Sequence, residues 1–206
     1  RPVDPLHGTP PPELRRASSA ARRRLAAMST LPAMLEQARR MSDQWMSLID
    51  RLENDKDFKI AKAVTRDYDH QLSQLFQAMG LMRYAPAEPL MKQFIPKDSG
   101  YNPESRAGAI WAMGWLHESA PDNELAELFR QRLNDTNPMF PEMIEVRRAS
   151  AVAMGRMKTD AGINTLRKFY NDEKYSADIG GGCRWALPGS GPGPGPVSWA
   201  RRRLSG

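Results

Sequence analysis

Arg106 to Leu116 reads RAGAIWAMGWL, and Arg147 to Met157 reads RRASAVAMGRM. The two stretches share an opening arginine, small residues at Ala109 and Ser150, and the word Ala-Met-Gly followed by a large side chain. That word occurs three times, at Ala78-Met79-Gly80, Ala112-Met113-Gly114 and Ala153-Met154-Gly155, at intervals of 34 and 41 residues. A weaker fourth copy, Trp185-Ala186-Leu187, stands 33 residues further on. Self-similarity at intervals of this length is the mark of an array of supersecondary units.

Around these copies the apolar residues recur at spacings of three and four, and no stretch alternates with a period of two. The prediction is therefore all-α. Between the copies lie further helical stretches: Pro86 to Ile95, Asn123 to Asn134 with Leu125, Leu128, Phe129 and Leu133, and Ala161 to Asn171 with Ile163, Leu166 and Phe169. The repeating unit is a helical hairpin, and stacked hairpins make an α-solenoid. Boundary residues fit: Asn102 before Pro103 and Glu104 reads as an N-cap, Asp122 and Asp160 as two more.

The two ends differ from the middle. Residues 1–30 mix prolines with Arg and Ser, and residues 188–196 are Gly or Pro at every position but Ser190. Such segments cannot bury enough apolar surface to offset the entropy of ordering them, so tails 1–30 and 188–206 are expected to be disordered. Residues 31–68 are expected to form N-terminal helices, Leu31 to Leu52 and Phe58 to Val64, packing on repeats that occupy 69–187. Pro188 cuts the last helix short, and the sequence leaves open that the chain is a fragment.

The pattern Val146-Arg147, Ala149, Ala151, Ala153-Met154-Gly155, Met157 resembles the second helix of the HEAT family, specifically the short HEAT-like repeats also found in phycobilin lyases. Ser105-Arg106, Ala109, Ala112-Met113-Gly114 and Leu116 resemble it with Ser in place of Val. The copy at Gln71 to Met82 lacks the arginine, and the copy ending at Leu187 meets Pro188 where glycine is expected. The resemblance implies an ion pair between an Asp ending the first helix and the arginine opening the second, which here selects Asp135 and Arg147. It implies that the columns of Trp111 and Trp115 face the concave side of the stack. It also implies, through the lyases alone, a bilin lyase or isomerase activity.

Composition narrows the classes of function. The formal charge is +6, but it sits in the tails: residues 1–30 and 184–206 carry +4 each, while residues 31–183 carry −2. Nucleic-acid binding through the core is therefore disfavoured, although Arg83, Arg148 and Arg156 could form a local patch. No apolar run reaches the roughly 18 residues of a membrane span, and the apolar stretch after Arg22 to Arg24 makes a poor secretory signal. Cys183 is the single cysteine, which rules out an internal disulfide, fits a reducing compartment and suggests the cytoplasm. Asp67, Asp69 and His70 lack a second histidine one turn away, so they read as a capped helix start and not as a metal site. His117 reads as a helix terminus. Gly180 to Gly182 lack the Lys and Ser or Thr of a phosphate loop, and Cys183 falls where Ser150 stands in the preceding repeat, a packed small residue. No catalytic, metal or cofactor set is predicted.

The aromatic residues stand out. On the helix from Arg106 to Glu118, Trp111 and Trp115 lie opposite the face of Ala109, Ile110, Met113 and Leu116. Position by position, Trp111 matches Gln77, Val152 and Trp185, and Trp115 matches Leu81 and Arg156. Stacking would gather Leu81, Trp111, Trp115, Val152, Arg156 and Trp185 along one groove, rich in the residue types of binding hot spots, unless neighbouring repeats or the N-terminal helices cover these side chains as part of the core. The expected role is a non-enzymatic scaffold for a protein or peptide partner, with nucleic-acid binding and bilin chemistry as the alternatives.

Overall fold

The computed structural model describes residues 12–52, 58–171 and 177–187. These residues form eight α-helices and no strand: α1 (Pro12–Leu52), α2 (Phe58–Leu81), α3 (Glu88–Lys92), α4 (Pro103–Leu116), α5 (Asn123–Asn134), α6 (Ile144–Met157), α7 (Ile163–Asn171) and α8 (Ala177–Ala186). Short 3-10 turns precede α3 and α7. The all-helical expectation holds, and α5 has the bounds expected of it.

Two expected boundaries move. α1 starts at Pro12, so residues 12–30, expected as part of a tail, are helical. Pro12 supplies the fixed φ favoured at a first helical position, and Ala, Leu and Arg, strong helix formers, dominate the residues that follow. The expected short helix Phe58 to Val64 is continuous with the repeat copy at Gln71 to Met82, as one 24-residue α2. No glycine or proline stands between Phe58 and Met79 to interrupt it, so the division at 68/69 falls inside a helix. Residues 1–11 and 188–206, the remainder of the expected tails, lie outside the described residues.

The even-numbered helices pack in series. α2 lies on α4, α4 on α6 and α6 on α8, while α3, α5 and α7 each pack on the helix that follows them and α1 packs on α2. The Ala-Met-Gly word sets the seam between successive helices of this series. Gly80 of α2 rests on Ala112 of α4, Gly114 of α4 on Ala153 of α6, and Gly155 of α6 on Ala186 of α8. A Cβ at Gly80 or Gly114 would stand 2.6 or 2.7 Å from the Cα of the alanine it faces. The glycine of one copy thus meets the alanine of the next, and the recurrence reports a backbone-to-backbone approach that a side chain would block.

Between the alanine and glycine of each word, the methionine points inward: Met79, Met113 and Met154 are buried in the same core as Phe76, Ile110, Phe129 and Phe169. α1 covers the start of the series with Leu31, Leu35, Ala38, Met41 and Trp45 buried at helical spacing. Its far side carries Glu36, Gln37, Arg39, Arg40, Asp43 and Gln44 to solvent. Trp45 Nε1 donates to the Gly100 carbonyl at 2.9 Å, and Tyr101 stacks on Phe94 with ring centres 3.7 Å apart, tying α1 to the connection between α3 and α4.

Candidate partner-binding surface

α4 and α6 each carry near their start an arginine that binds backbone carbonyls of the preceding segment. Arg106, in the first turns of α4, donates to the carbonyls of Phe94 and Ile95 just after α3. Arg147 repeats the arrangement in α6, with Nε donating to the Leu133 carbonyl at 3.0 Å near the end of α5. Arginines so placed satisfy carbonyls that a helix end leaves without intrahelical partners. The expected pairing of Asp135 with Arg147 is not what forms. Asp135 is held by Lys97 at 2.7 Å, from the loop of the preceding hairpin, because the turn after α5 carries Asp135 towards that neighbour. Arg106 grips the buried carboxylate of Glu142.

Capping also crosses between helices. Asn102 occupies the N-cap of α4, yet its side chain makes no capping bond; Asp69, inside α2, accepts the Ser105 N–H at 2.8 Å instead. Asp69 therefore caps α4 and does not open a helix of its own. Its burial raises its pKa against the lowering effect of the Ser105 bonds. His70 lies 2.8 Å from Glu104, so Asp69 and His70 are engaged separately. Asp122 caps α5 through the Leu125 N–H at 3.0 Å, as expected. Asp160 is the first residue of the turn before α7, and the N-cap of that turn is Thr159. His117 is the C-cap of α4, with Nε2 3.3 Å from Glu88.

The predicted groove residues are brought together only in part. Trp111 and Trp115, one helical turn apart on α4, meet edge to face with centres 5.8 Å apart. Arg156 of α6 lays its guanidinium over both, 3.8 Å from the Trp115 ring centre and 5.1 Å from that of Trp111. A planar cation gains most over an aromatic face when both are withdrawn from water. Burial lowers the pKa of Arg156 to about 10 against the attraction of Glu118, a value at which it stays charged near neutrality.

That cluster closes much of the expected groove. Trp111 is 4 % exposed, and Val152 and Arg156 are likewise buried, so core packing does use them. The reason is the short distance between α4 and α6 set by Gly114 on Ala153, which brings Arg156 onto the indoles. Leu81, at the end of α2, is 44 % exposed, and Trp115 is half-buried. The Trp185 side chain lies outside the described residues. Of the suggested basic patch, Arg83 is paired with Glu118 and Arg156 is buried.

Other chemistry is limited. Among the described residues, no group of three or more His, Cys, Asp or Glu is placed to hold a metal ion, and no helix is long and apolar enough to cross a membrane. Cys183 is buried in α8, and loss of solvation pushes its thiol up to about 12; at neutral pH it is the protonated, poorly nucleophilic form.

Sequence reasoning missed the connection between α5 and α6. It places Met139 and Phe140 in solvent between Pro138 and Pro141. An uncharged run, Thr136 to Pro141, without helical spacing was the available sign.

No protein-family model matches the chain, and neither a curated protein nor a solved structure matches it.

Proposed function

We propose that the chain is a HEAT-like solenoid acting as a non-enzymatic scaffold, which binds a protein or peptide partner along the side where α2, α4 and α6 end. Support for the solenoid comes from the serial packing of α2, α4, α6 and α8 through the glycine-on-alanine seams. Arrays of this kind present extended binding surfaces built from equivalent positions in successive units. The observation that carries the binding reading is the pairing of an exposed Leu81 with a half-buried Trp115 at equivalent positions of α2 and α4, the latter propped by Arg156. Trp115 Nε1 is enclosed without an acceptor, and a partner carbonyl would satisfy it at the cost of a small shift. The core charge of −2 and the engagement of Arg83 and Arg156 weigh against nucleic acid. A cytoplasmic setting is part of the proposal, on the single buried cysteine.

The test compares proteins captured from the native source by the wild-type chain, by Leu81→Ser with Trp115→Ala, and by Lys158→Ala as a control. A partner retained by the control and lost by the double variant is the expected result. If no captured protein depends on Leu81 or Trp115, this surface is not the binding face.

A further inference from the structure

The connection between α5 and α6 holds large apolar side chains in solvent with unusual firmness. Met139 and Phe140 are 76 % and 73 % exposed, and Met143 and Ile144, at the start of α6, extend the patch at 48 % and 38 %. The loop beneath them is fixed at both ends. Asp135 Oδ1 accepts the Asn137 N–H at 3.2 Å, and Asn137 Oδ1 accepts the N–H groups of Met139 and Phe140 at 2.9 and 3.3 Å. Lys97 donates to both Asp135 and the Phe140 carbonyl. At the far end Glu142 N–H donates to the Asp135 carbonyl at 3.1 Å, and its carboxylate is locked to Arg106. Two residues of the preceding hairpin, Lys97 and Arg106, thus hold the loop with its apolar side chains outward. Ordering a loop in advance lowers the entropic cost of an association.

We propose that this patch is a self-association surface, on which two copies of the chain pack about a two-fold axis with Phe140 against its symmetry mate. Charge favours a like copy. Residues 136–141 are uncharged, and residues 132–148 carry three basic and three acidic side chains, so two such patches do not repel. The same balance gives an anionic lipid surface nothing to attract. Area agrees with a weak dimer. With about 200 Å² for each large side chain, the four residues expose roughly 450 Å², so two copies would cover roughly 900 Å², below the ~1,200 Å² at which stable interfaces begin and within the range of weak, transient ones. Isologous contact uses one patch twice and needs no second complementary surface.

Sedimentation of the full chain between roughly 1 and 500 µM tests this, the range suited to interfaces at the small end. The wild type is expected to shift reversibly from monomer to dimer, Phe140→Ser to remain monomeric with an unchanged circular dichroism spectrum, and Phe140→Leu to associate. In a second arm, Met139→Cys is expected to cross-link to dimer in oxidised glutathione faster than Lys158→Cys, since Cys183 is buried. A wild type that stays monomeric throughout, or a dimer indifferent to Phe140→Ser, overturns the proposal. So does flotation of a monomeric wild type with phosphatidylcholine vesicles that Phe140→Ser abolishes, which would assign the patch to a lipid surface.

Discussion

Glu142, in the turn before α6, takes both arms of the Arg106 guanidinium of α4, at 2.7 and 2.9 Å, with the two side chains 1 % and 3 % exposed. Arg132 approaches the same carboxylate at 3.5 Å. The fork joins α4 to the turn before α6, 36 residues along the chain, and the same two side chains also bond the Phe94 and Ile95 carbonyls and the Met143 N–H.

Breaking this pair from one side should be severe. Glu142→Gln leaves a buried guanidinium without its counter-charge and is expected to cost about 3–5 kcal/mol in urea unfolding. The double change Arg106→Met with Glu142→Leu removes both charges and should cost no more than the single one. A double variant much less stable than Glu142→Gln would show that the arginine's bonds to the α3 end outweigh the ion pair.

Glycines of similar helical setting should respond with opposite sign. Gly114→Ala forces a Cβ into the backbone of Ala153 and is expected to lose about 1–3 kcal/mol by overpacking. Gly181→Ala, in α8, meets nothing within 4 Å and should gain up to about 1 kcal/mol from helix propensity. Thermal unfolding of the two variants against wild type measures both, and equal shifts would contradict the seam.

Asp69 offers a pH test. Its folded pKa is raised above the ordinary 3.8, chiefly by burial and against the Ser105 bonds, so the carboxyl binds a proton more readily in the folded chain. Its contribution to stability is therefore greatest below about 3.8 and is lost as pH rises through the raised folded value. Asp69→Asn keeps an acceptor for Ser105 and should flatten that part of the stability–pH curve at little cost near neutrality. Asp69→Ala removes the cap and should cost about 1–2 kcal/mol. Equal losses for Asn and Ala at pH 7 would count against the capping role.

Cys183 should be inert in the folded chain. With the thiol buried and its pKa near 12, a thiol-specific aromatic disulfide reagent at pH 8 is expected to label it only on unfolding, so that the labelling rate follows added urea. Prompt stoichiometric labelling of the native protein would contradict the burial.

The sequence by itself determined the recurring word and most of the helices, though not the start of α1, where residues 12–30 were expected in a tail, because helix period and capping rest on local chemistry. Apolar spacing of three and four needs only the helix period, and Asp122 caps α5 by accepting an N–H only three residues further along. The unbroken α2 was not anticipated: a short helix Phe58 to Val64 and a division at 68/69 were expected, although no glycine or proline stands between Phe58 and Met79. Contacts between helices distant in the chain were decided by tertiary structure. The spacing of Asp135 and Arg147 did not reveal that Lys97 would reach the aspartate first, nor did the position of Asp69 in α2 reveal that it would cap α4. Trp111 and Trp115 have the composition of a binding groove, yet the approach of Gly114 to Ala153 sets how near α6 comes and so places Arg156 over them. Helix period acts through neighbours three or four residues apart, whereas side-chain cover depends on which distant backbone comes within reach, and that distance exists only once the helices have packed.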